Sequence, residues 1–157
     1  ALSIAILALA GAAVFGLGTA PAAAPAAKQA SVSAPTTAAD FYSAGYKASQ
    51  AGKYDEAITD FQQAIALKAD YAEAYNMLGF SLRKSGKIPE AFTNYETALK
   101  LKPDFPEARE YYGEAFLMVG NLKDAMRQYL ILEKARRPEA KELLEKIDAF
   151  LKANPGA

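Results

Sequence analysis

The chain has 157 residues with 18 basic and 18 acidic side chains, so its formal charges cancel; that is enough for one modest domain with a tail, and it argues against a general nucleic-acid surface. It contains neither cysteine nor histidine, which removes disulfides, a thiol nucleophile, and imidazole as metal ligand, haem ligand or general base. Carboxylate-only catalysis survives that filter, but no spacing points to a carboxylate pair in a pocket, so the chain reads as non-enzymatic, without cofactor or metal.

In chain order, the first element is LSIAILALAGAAVFGLG, Leu2–Gly18, which carries no charge. About 17 residues make a helix of roughly 25 Å, at the short end of what crosses a hydrocarbon core of about 30 Å. Residues 1–18 are therefore expected to be a hydrophobic signal or transmembrane anchor. An uncleaved anchor is the favoured reading. The alternative is a secretory signal peptide cut near Ala20-Pro21-Ala22, which has the small-x-small form a signal peptidase reads. Lys28 is the only charged residue before Asp40, so nothing holds the following segment in the cytoplasm. The expected location is the inner membrane, single-pass, with the C-terminal domain in the periplasm; a soluble periplasmic protein is the alternative. Residues 19–39, TAPAAAPAAKQASVSAPTTAA, are rich in Ala, Pro, Ser and Thr and read as a semi-rigid linker in which Pro21, Pro25 and Pro35 block continuous helix.

From there the chain repeats itself at a shift of 34 residues. Gly45 falls on Gly79 and Gly113, Gly52 on Gly86 and Gly120, Ala57 on Ala91 and Ala125, and Phe61 on Tyr95 and Tyr129. Each unit reads as two helices. The mid-helix glycines of the first helix cost about 1 kcal/mol each against alanine, so they imply close approach of a partner helix. Gly52, Gly86 and Gly120 end the first helix in the left-handed conformation. The second helix starts near Tyr54, Ile88 and Leu122, with Ala57, Ala91 and Ala125 facing the first helix and Phe61, Tyr95 and Tyr129 filling the space between pairs. Pro138–Pro155 follows as an amphipathic helix with an apolar stripe of Leu143, Leu144, Ile147, Phe150 and Leu151. It is expected to cap the apolar end of the stack, chiefly over Leu130 and Leu132.

These columns resemble the tetratricopeptide-repeat family, over three units at 38–71, 72–105 and 106–139, with a capping helix at 140–153 inside a domain of residues 40–157. The second unit carries Tyr75, Leu78, Gly79, Leu82, Ala91, Tyr95, Ala98 and Pro103 at the family's positions. The first carries Phe41, Ala44, Gly45, Ala57, Phe61 and Ala64, with Ala69 in place of the proline. The third departs most: Arg109 takes the aromatic position, Leu132 the second alanine and Arg137 the proline. The resemblance implies an all-α fold, a right-handed α-solenoid of three helix-turn-helix units with a capping helix, behind the N-terminal hydrophobic helix.

It also implies a binding face, because the first helices of such solenoids line a concave surface that engages partners. Tyr42, Tyr46 and Ser49, then Asn76, Phe80 and Arg83 beside Glu73, then Glu110 and Glu114 beside Glu107 and Leu117, occupy the positions that point into it. Aromatics at one end, a basic spot in the middle and an acidic strip at the other suit an extended peptide of mixed character. Some relatives clamp a C-terminal carboxylate with Lys, Asn and Arg; here Tyr42, Tyr46, Glu107 and Tyr111 stand at those places, which disfavours that mode. The expected function is a protein–protein interaction scaffold, a membrane-tethered accessory subunit of a larger bacterial membrane complex. Its partners would be proteins, and the membrane through Leu2–Gly18, with no nucleic acid. The alternative is a soluble periplasmic adaptor for peptides or envelope-assembly proteins.

Overall fold

The computed structural model describes residues 34–156. The expected anchor at 1–18 and the linker up to residue 33 lie outside the described residues. Seven helices follow one another: α1 Ala38–Gln50, α2 Tyr54–Leu67, α3 Ala72–Lys84, α4 Ile88–Leu101, α5 Pro106–Met118, α6 Leu122–Lys134 and α7 Glu139–Ala153. Among the described residues no helix is long and apolar enough to cross a membrane.

Local chemistry sets the helix ends. Thr37 caps α1, accepting from the Asp40 backbone N–H at 3.1 Å while the Asp40 carboxylate accepts from the Thr37 N–H at 3.0 Å, a reciprocal box that satisfies two orphan donors. The helix therefore starts at Ala38, within the segment read as linker to residue 39. Gly52, Gly86 and Gly120 have φ of 73°, 80° and 74°, the left-handed turn that folds each second helix back on its first. Pro106 opens α5 at a position where no backbone N–H is needed.

Helices pack in pairs, α1 with α2, α3 with α4 and α5 with α6. Successive first helices α1, α3 and α5 also touch, whereas α2, α4 and α6 do not touch one another. The first helices thus form the inner, concave row of a helical solenoid. The core runs between the rows. Ala57, Ala91 and Ala125 are wholly buried, as are Phe61 and Tyr95. A Cβ on Gly45 would meet the Phe61 ring at 3.0 Å, and one on Gly79 the Tyr95 ring at 2.8 Å. The mid-helix glycines are thus seats for aromatic faces.

The third pair breaks this rule. Tyr129 does not fill the inter-pair space; it lies at the edge of the cluster of Leu117, Ala125, Leu132, Leu143 and Ile147. A Cβ on Gly113 would instead meet Leu143 of α7 at 2.6 Å. Buried positions in α4 are Ala91, Tyr95 and Ala98, but in α6 they are Ala125, Gln128 and Leu132. Ala125 and Leu132 keep the buried places of Ala91 and Ala98, but between them Gln128 is buried in place of Tyr129. Arg109 stands where the other units have an aromatic. Its guanidinium donates to the Pro103 carbonyl at 3.0 Å and to Gln128 Oε1 at 3.3 Å.

The α7 stripe is correspondingly narrower than the sequence suggests. Ala140, Leu143 and Ile147 are buried, while Leu144 and Leu151 remain exposed. The turn into α7 copies the turn inside a repeat. Arg137 N–H donates to the Leu132 carbonyl at 2.9 Å as Lys53 N–H does to Ala48, and Arg136 takes the left-handed place with φ 54°. This folds α7 back against both α6 and α5. It covers Leu132 but leaves Leu130 exposed, so the apolar end it closes is not centred on Leu130.

Leu143→Ala should cost about 2–5 kcal/mol, in line with loss of a fully buried leucine, and Tyr129→Ala distinctly less. Urea titration of the two variants checks this; a larger loss at Tyr129 would restore the regular repeat register.

Candidate functional site

The concave row divides into two halves of different character. In the first, α1 and α3 present rings. Tyr42 and Tyr46, one turn apart, stack with centroids 6.4 Å apart, and Tyr42 also meets Phe61 at 5.6 Å and Tyr71 at 5.1 Å. Phe80 bridges Tyr54 at 6.3 Å and Tyr111 at 5.3 Å. Tyr46 is 44% exposed, which is high for an aromatic. Burial, reinforced by Tyr71 and Glu73, pushes the Tyr42 phenol up to about 12, so it stays a neutral hydroxyl at physiological pH.

Between these rings lies a cavity of about 340 Å³, lined by Tyr42, Tyr46, Asn76, Met77 and Tyr111 together with Glu73, Lys102, Phe105 and Glu107. Lys102 donates to Glu73 Oε1 at 2.9 Å and sits 4.4 Å from the Phe105 ring centre. That hydrogen bond, working against burial, holds the Glu73 carboxyl below its usual range. Asn76 forms the floor. It is 3% exposed, and its Oδ1 has no hydrogen-bond partner among the described residues.

In the second half, charges are tied to each other. Arg83 binds Glu114 Oε2 at 2.6 Å and donates from Nε to the Tyr95 hydroxyl at 3.3 Å. Lys146 of α7 reaches into the row, binding Glu110 at 2.5 Å and also Glu114. Burial raises the Glu110 carboxyl, and the hydrogen bond from Lys146 opposes that rise. For Lys146, burial lowers the ammonium, but the bonds to Glu110 and Glu114 outweigh it and leave it raised. Two cations and two carboxylates thus form one ladder across α3, α5 and α7.

Of the residues singled out from sequence, Tyr42, Tyr46 and Asn76 line the cavity, and Phe80 leans on it through Tyr111. Ser49 is buried and donates to the Tyr46 carbonyl at 2.8 Å. Arg83, Glu110 and Glu114 are consumed by the ladder, so the acidic strip is neutralised except at Glu107. Sequence reasoning missed Lys146, because α7 was read as a lid with a solvated polar face. Tyr111, named from sequence only as a departure from the carboxylate clamp, is also a lining residue. A larger cleft of about 450 Å³ lies between α4 and α6, lined by Glu96, Arg109, Tyr112 and Gln128 among others. Within it Arg109 pairs with Gln128, and the Tyr112 hydroxyl with Glu96 at 2.7 Å.

The family profile described as TPR repeat matches residues 45–85 and 81–120. Among solved structures, the Yersinia enterocolitica type III secretion chaperone SycD in complex with a peptide of the translocator YopD is 25% identical. Its TM-score is 0.64, over 73% of this chain and 89% of that one. MamA is 30% identical with a TM-score of 0.58, over 71% of this chain and 60% of that one. The first TPR domain of human RPAP3 is 23% identical with a TM-score of 0.68, over 79% of this chain and 99% of that one, a likeness of fold. A search of curated protein sequences finds no match.

Lys146→Met keeps the apolar stem but leaves Glu110 and Glu114 without their cation, and should cost about 1–3 kcal/mol at neutral pH. Because the folded state already holds the Glu110 proton above its usual 4.5, acid relieves the unpaired carboxylate in the fold more than in the unfolded chain. The deficit against wild type should therefore shrink as pH falls toward that value. Denaturant melts of both proteins across pH 4–7 check it; a deficit that widens in acid would contradict the ladder.

Proposed function

From the premise that this chain carries tetratricopeptide repeats, we propose that it is a protein–protein interaction scaffold that holds a partner segment on the concave face of α1 and α3. The observation that carries this is the cavity between Tyr42, Tyr46 and Tyr111, where large rings stay accessible on the helical row while Glu73, Lys102, Glu110 and Glu114 are already paired. Accessible aromatics at the centre of a concave surface are the groups that dominate interface energetics. The fold likeness to a chaperone solved with a peptide of its translocator supports the reading.

On the same reading, Leu2–Gly18 tethers the chain to the inner membrane, residues 19–39 act as the spacer, and the repeat domain works in the periplasm as an accessory subunit of a larger bacterial membrane complex. The uncharged run and the near absence of charge before Asp40 support it. Ala20-Pro21-Ala22 favours a second reading, a soluble periplasmic adaptor released by signal cleavage. Intact-mass measurement of protein purified from its native cells separates the two: the anchored form keeps Leu2–Gly18.

A photoreactive residue in place of Tyr46 or Phe80 should crosslink a partner protein in native membranes, and one in place of Leu67 should not. Tyr46→Ala with Phe80→Ala should weaken that association by about 2 kcal/mol or more without unfolding the domain. Crosslinks from Leu67 alone would place the partner on the other side of the solenoid. Deleting residues 2–18 should release the chain from membranes and leave its affinity for a soluble partner fragment unchanged.

A further inference from the structure

We propose that the boundary between the second and third repeats holds a separate site, which binds a branched aliphatic carboxylate on Arg109 and Arg137. A cavity of about 230 Å³ lies there, lined by the apolar Pro103, Pro106, Ile131 and Leu132 and by both arginines. The repeat columns show what is unusual about it. Arg109 stands in the column of Phe41 and Tyr75, and Arg137 in that of Ala69 and Pro103. Tyr75 packs against the buried cluster of Ala72, Ala98 and Phe105. The third unit thus places a cation in each of two columns that are apolar in the other two units, and the fold brings both cations to one cavity.

Neither arginine is used up by the chain. Arg109 donates only to neutral acceptors, Gln128 Oε1 and the Pro103 carbonyl. Its Nε has no partner among the described residues and is not sealed from solvent. Arg137 pairs through Nη2 with Asp104, whose side chain is 71% exposed; water screens such a pair, and it contributes little. Nη1 of Arg137 is likewise unpartnered and open, unlike its buried Nε. Two guanidinium charges against the one carboxylate of Asp104 leave a single positive charge at the cavity, and a bound monocarboxylate balances it. A guanidinium fork matches the two in-plane oxygens of a carboxylate. The apolar walls offer no donors for the further oxygens of sulfate or phosphate, whose burial would be costly. They favour an aliphatic body instead, and a volume of roughly eight waters suits a branched chain of about five or six carbons. A free acid and the C-terminal residue of a peptide share this chemistry.

The test uses the full chain at neutral pH and low salt, with calorimetry and melting temperature as readouts. The probes are isocaproate, its neutral amide, sulfate, and the capped dipeptide acetyl-glycyl-leucine with a free carboxylate. Isocaproate should bind saturably and raise the melting temperature, and the amide should bind at least tenfold more weakly, because it loses the charge-assisted bonds. Sulfate should bind no better than the amide. Tighter binding of the dipeptide than of isocaproate assigns the ligand to a peptide terminus, and weaker binding assigns it to a free acid; both uphold the site. Arg109→Tyr restores the aromatic of its column, so it should keep or raise the melting temperature and lose at least tenfold in affinity. Arg137→Gln leaves the Arg109 bonds in place and should lose at least threefold. Equal affinity for acid and amide, preference for sulfate, undiminished binding by either variant, or failure of every probe to bind overturns the proposal. None of these outcomes bears on the concave cavity, which neither arginine lines.

Discussion

Everything in this domain depends on how closely its helices approach at one point in each pair. Gly45 and Gly79 have no side chain, and the Phe61 and Tyr95 rings lie so close to their backbones that a methyl group would push each ring away. Each glycine weakens its own helix by about 1 kcal/mol relative to alanine. The ring it admits is fully buried, and such a ring contributes several times that amount. A helix pair made this way still has an uncovered apolar flank, so the next pair must follow, and a stack with a concave inner row results.

The third pair keeps the glycine and changes the occupant. Leu143 of α7 rests on Gly113, which makes the terminal helix a structural part of the last repeat instead of a separable lid. The same placement brings Lys146 into the inner row beside Glu110 and Glu114. Packing and electrostatics are therefore coupled: the helix that closes the apolar end also neutralises half of the concave face. What remains accessible is the aromatic half, and that division turns a long generic groove into a short site.

The repeat architecture was legible in the sequence because its determinants are local or periodic. The left-handed glycines at 52, 86 and 120, the alanine column and the aromatic column recur at a fixed interval, and the helix starts at Tyr54, Ile88 and Leu122 follow from them. Tyr42, Tyr46 and Asn76 were named as concave-face positions only through the family resemblance, and they line the cavity. The burial of Gln128 in place of Tyr129 was not legible, because that glutamine pairs with Arg109 across the helix pair. The capture of Glu110 and Glu114 was hidden similarly, since Lys146 lies 36 and 32 residues away from them. Whether a buried amide finds a partner is a tertiary property, so the unpaired Asn76 oxygen could not be read from residue type or spacing.

The central claim is that a partner covers the aromatic half of the inner row and leaves the α6–α7 side open. Hydroxyl-radical footprinting of the chain in its native membranes, compared with the purified chain, tests this directly at side-chain level. The account predicts protection of Tyr42, Tyr46, Phe80 and Tyr111 in membranes, with Leu130, Leu144 and Leu151 oxidised equally in both preparations. Protection of Leu130, Leu144 and Leu151 with unchanged oxidation of the four aromatics would contradict it.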